Sequence, residues 1–409
     1  MPWHDPWFLA LVQIIALLVP AAFLAWLLRC AGVPGRAPAA AIVAGITIGL
    51  LAGPGVAGRA WPRIHERLFL GAVEESRELA SLRSTQLNES AALLAAGVTD
   101  AAISEQALAH ADQRRPLEES RRRALDAHRF RFDLLSHVVL ALHLFLIAPT
   151  MVPSTERSLR RRAAALIGAG PGAIGAGALA FVLSCLPIAL IGPALAGLSW
   201  PASIALALVT GAPAVVAAVR PAPYIAGAFA MALALAAALI IAWGPGLTIT
   251  AGGLFLGLLA SLGLDSRFTR RWRHLALAIA MRLSLPLLTA LAAVRIDLHG
   301  SLAAAPWAFW TSVALGLIWA SDGRWFCWML AWRWLGPPQD RARAWSLAAM
   351  PVNAGAATLS IALALAFLGS GLFEVHILPG ALLGAGVVEL TTGARTWLAP
   401  YLDHRRSIT

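Results

Sequence analysis

The chain has no lysine: all 32 of its basic residues are arginine. A phosphate-binding loop needs a lysine and a Ser/Thr behind its glycines, and the glycines here lie inside apolar runs, so nothing suggests nucleotide hydrolysis. Only three cysteines occur, Cys30, Cys185 and Cys327. They are far apart and sit in or beside apolar segments, a spacing that offers neither a metal site nor a disulfide framework. Charged residues make up 13% of the chain, too few for a soluble globular domain. The net charge of +11 does not point to nucleic acid, because the arginines cluster in short loops between apolar runs. No cofactor is indicated, and nothing suggests an enzyme.

What is abundant is apolar sequence. Hydrophobic residues make up 59% of the chain and its mean hydropathy is +0.73. Several continuous Ala/Leu/Ile runs reach the roughly 20 residues a bilayer crossing needs. A transmembrane barrel would instead alternate over about 10 residues per segment. The fold class expected is therefore all-α, a polytopic membrane protein with about 11 transmembrane helices. Candidate spans fall near 7–28, 39–57, 132–152, 163–192, 199–220, 221–244, 246–264, 273–296, 305–335, 345–369 and 375–398. The opening MPWHDPWFLALVQIIALLVP lacks a basic leader and a small-residue cleavage site, so it reads as a retained first span.

Arginines follow the odd-numbered spans: Arg29 and Arg36; Arg157 with Arg160 to Arg162; Arg220; Arg267 to Arg273; Arg341 and Arg343; Arg405 and Arg406. Loops after the even spans are nearly neutral apart from Arg295 with Asp297 and one long insertion. Positive loops stay in the cytoplasm, which places the C-terminus there and the N-terminus outside. The domain reading is 1–60, N-terminal spans; 61–131, a hydrophilic helical insertion; 132–400, the main bundle; and 401–409, a cytoplasmic tail.

The insertion, from Arg63 to Arg131, holds 11 of the 21 acidic residues. Leu68, Leu79, Leu82 and Leu87, then Ile103, Leu108, Leu117 and Leu125, recur at near-helical spacing. This predicts two amphipathic helices separated near Gly97, the second broken at Pro116. Such a hairpin is either a solvated cap or a docking surface for a protein partner.

Several stretches together resemble the monovalent cation:proton antiporter superfamily, especially its bacterial sodium or potassium/proton exchangers. GRAPAAAIVAGITIGLLAGP (Gly35 to Pro54) resembles the family's second span, with its G-x-x-x-G-x-x-x-GP pattern. HVVLALHLFLIAPTM (His137 to Met151) is similar to the span that follows. ALVTGAPAVVAAV (Ala207 to Val219) looks like the unwound helix with a Thr-x-Pro break. AGGLFLGLLAS (Ala251 to Ser261), PLLTALAAVRIDL (Pro286 to Leu298), the Asp322-Gly323-Arg324 helix and MPVNAGAATLSIALA (Met350 to Ala364) follow in the family's order. The resemblance implies an inverted-repeat bundle with two broken helices, a homodimer, and exchange of a monovalent cation for a proton.

Two departures bear on that reading. The span after the first broken helix, Tyr224 to Trp243, contains no acid where the family carries its ion-binding carboxylates. Arg324 stands where the family has a lysine, and arginine cannot give up its proton. Candidate pathway residues are Thr210 and Pro213 at the first break, Asp322 and Arg324, Asn353 at the second break, and Glu389. Glu389 lies in apolar sequence and reads as a proton site or an arginine partner. His137 and His143, at i and i+6, do not share a face well and read as packing residues. Trp307, Trp310, Trp319, Trp325, Trp328, Trp332 and Trp334 read as interface anchors and helix packing. The leading expectation is an antiporter-like transporter. The alternatives are a transport-inactive scaffold or sensor using the insertion as its contact surface, and an organic-anion carrier in which Arg324 would suit the substrate's charge.

Overall fold

In a computed structural model the described residues are 6–31, 37–96, 100–151, 170–216, 274–304, 306–317 and 324–335, with short pieces between 341 and 383. All regular structure among them is helical. The chain divides into two compact units, Met1–Gln13 with Val56–Leu135, and Ile14–Gly55 with Ser136–Thr409. Its principal helices are α1 (Pro6–Cys30), α2 (Ala37–Ala52), the short α3 (Ala57–Ala60) and α4 (Pro62–His65), α5 (Val73–Ala95), α6 (Asp100–Met151), α7 (Gly170–Ala196), α8 (Trp200–Val216), α9 (His274–Ala293), α10 (Leu298–Ala304), α11 (Pro306–Ala314) and α12 (Arg324–Leu335).

Three stretches are long and apolar enough to cross a membrane: Phe8–Cys30, Ala39–Ala60 and His274–Ala293. Helix α1 shows what such a helix looks like when both faces are apolar. Leu17, Ala21 and Ala25 are fully buried, while Ile15, Val19, Phe23 and Trp26 on the other side are at least half exposed. A stripe of large apolar side chains has no favourable contact with water, whereas hydrocarbon accepts it at no cost. The remaining expected spans are described in part or fall outside the described residues, as 221–244 and 246–264 do.

Within the larger unit α2 packs against α9 through glycines. Leu285 to Ala293 are buried without exception. A Cβ on Gly49 would lie 2.5 Å from the Ala290 carbonyl oxygen and 2.6 Å from the Ala293 methyl, and one on Gly45 would fall on the Thr289 hydroxyl. Where lipid supplies no hydrophobic drive between helices, close backbone approach at small residues supplies the van der Waals attraction instead. Helix α7 packs against α8 and α12. The Cys185 thiol donates to the Ala207 carbonyl at 3.4 Å and the Cys327 thiol to the Leu183 carbonyl at 3.4 Å. All three cysteines are free. Trp328 and Trp332 are buried in this unit, whereas Trp307, Trp310 and Trp334 are exposed.

Two expected interruptions are corrected. Helix α8 runs unbroken through Thr210 and Pro213, so the first broken helix expected of the antiporter bundle is wound at that point. Pro213 lies in the last turn, where its missing N–H forfeits only one hydrogen bond, and an unwound segment in hydrocarbon would free several backbone groups. Helix α6 likewise passes through Pro116. Contacts with α5 on both sides of that proline hold it in line: Arg83 pairs with Glu118 at 3.2 Å, His110 with Glu89 at 3.0 Å, and Arg121 donates to Ser76 Oγ at 3.1 Å.

In the smaller unit the helical hairpin forms as expected, but its leucine pattern is only partly a core. Leu79 is buried, yet Leu87 and Leu108 are 70% and 69% exposed. Gln86 is buried instead, donating to the His110 carbonyl at 3.2 Å. Ahead of α5 the chain makes a π-turn (Glu66–Leu70), then Gly71 with φ +73° and Ala72 with φ +55°. The Gln13 amide donates to the Leu68 carbonyl, and the imidazole of His128 lies against Gly71.

Burial, the largest influence, lowers the His128 pKa below its ordinary value of 6.5; hydrogen bonds to the Leu68 and Phe69 backbone oppose it, and Arg131 adds to it. The folded state thus prefers neutral imidazole and the unfolded chain takes the proton first. The stability is present above about pH 6.5 and is lost as pH falls through the lower, folded pKa. Thermal unfolding followed by circular dichroism should show a lower midpoint at about pH 5.5 than at about pH 7.5, and the difference should shrink in His128→Gln. An unchanged difference in that variant refutes the assignment.

A candidate polar seam between α6 and α9

The site is built from a proline outwards. Pro286 has no N–H, and its ring crowds the carbonyl four residues earlier, a conflict that a wider turn relieves. Helix α9 contains such a turn, the π-helical Ala280–Ser284, directly before Leu285-Pro286. Ser284 closes that turn and is buried. Its hydroxyl donates to the Ala280 carbonyl at 3.1 Å and lies 2.5 Å from Nδ1 of His143 on α6. His143 is fully buried, and its other nitrogen, Nε2, has no partner among the described residues.

Ser284 is the eleventh of the 20 residues of α9. At 1.5 Å per residue that is about 15 Å from the helix end, half of a roughly 30 Å hydrocarbon layer. The seam continues one way along α6 to Ser136, which is buried. There Arg295, just past the end of α9, donates to Ser136 Oγ at 2.7 Å. Seven residues separate Ser136 from His143, about 10 Å along the helix. Asp297 does not pair with Arg295 across the loop in any role at this site. Its carboxylate accepts the Gly300 N–H at 3.1 Å and caps α10.

Three of the six residues expected to line a pathway fall on described helices. Thr210 and Pro213 lie on the uninterrupted α8, and Arg324 opens α12. Asp322, Asn353 and Glu389 lie outside the described residues. His143 and Ser284 escaped the sequence reading because each histidine was weighed against the other at i+6, while the partner that matters is 141 residues away. An ionisable side chain inside HVVLALHLFLIA was the available signal.

No family model matches the chain, and neither a curated protein nor a solved structure matches it.

Proposed function

We propose that the chain is a proton-coupled membrane transporter of the cation:proton antiporter type, with its N-terminus outside and its C-terminus in the cytoplasm. The observation that supports this most is the His143–Ser284 pair, buried at mid-helix among otherwise apolar spans. Ionisable groups at membrane depth are costly, and where they persist they line ion or proton routes. Partners on this reading are a proton, a monovalent cation and the lipid bilayer, with homodimerisation carried over from the resemblance.

The test is flux in proteoliposomes carrying a pH gradient, with sodium or potassium added, for the wild type, Asp322→Asn and Glu389→Gln. Cation-dependent collapse of the gradient is expected in the wild type. Equal rates in all three proteins remove the two acids from the mechanism, and no collapse in the wild type rejects transport.

Two observations favour a second reading, a scaffold or sensor without transport. Helix α8 is wound through Thr210 and Pro213, and the hairpin of the smaller unit exposes Leu87, Leu94 and Leu108. On that reading residues 63–131 are the contact surface for a protein partner.

A further inference from the structure

Among the described residues of the larger unit, Asp297 is the only carboxylate, and it is engaged as the cap of α10. His274 and His299 are exposed, and Arg282 faces outward on α9. Arginine holds its charge and thiols are poor carriers near neutrality. Among the described residues of this unit, the buried titratable groups left for proton uptake are therefore two histidines, His137 and His143.

Counting protons fixes the tautomer of His143, the one whose Nδ1 contact is with Ser284. The Ser284 hydroxyl carries one hydrogen, and the geometry gives it to the Ala280 carbonyl. The 2.5 Å contact with His143 then requires the imidazole to donate, so the hydrogen of the neutral ring sits on Nδ1. Nε2 is left as a bare lone pair, fully buried and without a partner among the described residues. Had Ser284 donated to Nδ1, the Ala280 carbonyl would lose that bond and Nε2–H would be a buried donor without an acceptor. The first arrangement satisfies one more group.

We infer that His143 is the proton carrier of this protein, taking up and releasing its proton at Nε2, with Ser284 as the positioning residue that fixes its tautomer. This rests on the transport reading and names its coupling group. A proton adds to the Nε2 lone pair to give an imidazolium with a hydrogen on each nitrogen, and loss of the same proton restores the neutral ring; no other bond changes. The group facing it is the Ser284 hydroxyl on α9, with Arg295 about 10 Å along the seam; His137 lies on another face of α6. With Arg295 permanently positive, a protonated His143 makes the seam doubly positive, which favours release of the proton again.

The experiment uses the full chain in proteoliposomes, with exchange driven by a sodium or potassium gradient and read across pH. His143→Gln should lower the exchange rate by about a hundredfold, the usual worth of a positioned proton-transfer group. Ser284→Ala should keep exchange but move its pH of half-maximal rate towards acid by about one unit, because the cation loses a stronger hydrogen bond than the neutral ring does. Wild-type rate and pH profile in His143→Gln overturn this inference and leave transport standing, whereas no exchange in the wild type overturns both. An unmoved profile in Ser284→Ala overturns the positioning role. Should His143→Gln fail to fold, the imidazole nitrogen resonances of the wild type decide the matter. A buried ring that carries its hydrogen on Nδ1, and whose signal moves in Ser284→Ala, supports the assignment; hydrogen on Nε2 overturns it.

Discussion

Gly49→Leu should separate α2 from α9 and destabilise the larger unit by about 3 kcal/mol, the upper range for forcing extra volume into a packed interface. The first added carbon would stand 2.5 Å from the Ala290 carbonyl oxygen, 2.6 Å from the Ala293 methyl and 3.0 Å from the Val294 nitrogen. Two of those atoms are backbone and cannot rotate away. Leucine's better helix propensity returns about 1 kcal/mol at most, less than the clash. Gly45→Leu meets the same wall, 2.5 Å from the Pro286 carbonyl oxygen. Gly55→Ala is the control, since nothing lies within 4 Å of the added carbon. Thermal unfolding in detergent should drop strongly for Gly45→Leu and Gly49→Leu and hardly at all for Gly55→Ala. Equal melting in all three would mean that the α2–α9 contact does not hold the bundle together.

The second large effect belongs to the smaller unit. Gly71 adopts φ +73° and ψ −166°, a region open to glycine and essentially closed to any residue with a side chain. Valine there adds strain on the order of 1–3 kcal/mol. Its Cβ also arrives 2.8 Å from that of His128 and 3.0 Å from Nδ1 of the same ring. The ring is confined by Gln13, whose amide lies 3.4 Å from His128 Nε2. Gly71→Val should therefore unseat the π-turn and the start of α5, seen as faster hydrogen exchange over residues 66–80 of the full chain, with α9 unaffected. Ala72→Gly, which relieves the φ +55° of Ala72, should exchange no faster than wild type. Protection in Gly71→Val equal to that of wild type would show that this corner tolerates another backbone path.

The α2–α9 contact was half legible before any fold was known. Gly45, Gly49 and Gly53 recur every four residues, which puts them on one face of a helix and marks it for close approach. Which helix would approach was not legible, because the answer, Pro286 to Val294, lies more than 200 positions downstream. Proline misled at Pro116 and Pro213. Its local cost is real, but contacts with α5 outweigh it at the first, and nearness to the helix end reduces it at the second. Gln86 misled differently: a leucine stripe names a face, while the Gln86 amide found the His110 carbonyl and took the buried place.

Sequence by itself determined that this chain is helical, that several of its helices suit hydrocarbon, and that one acidic and arginine-rich block stands apart. Those properties are sums over many residues, and hydration free energy adds up along a segment whatever surrounds it. Tertiary structure alone decided that His143 meets Ser284, that α8 stays wound, and that Asp297 caps a helix rather than pairing with Arg295. The first of these depends on two atoms meeting at 2.5 Å from positions 141 residues apart, a distance that only packing sets.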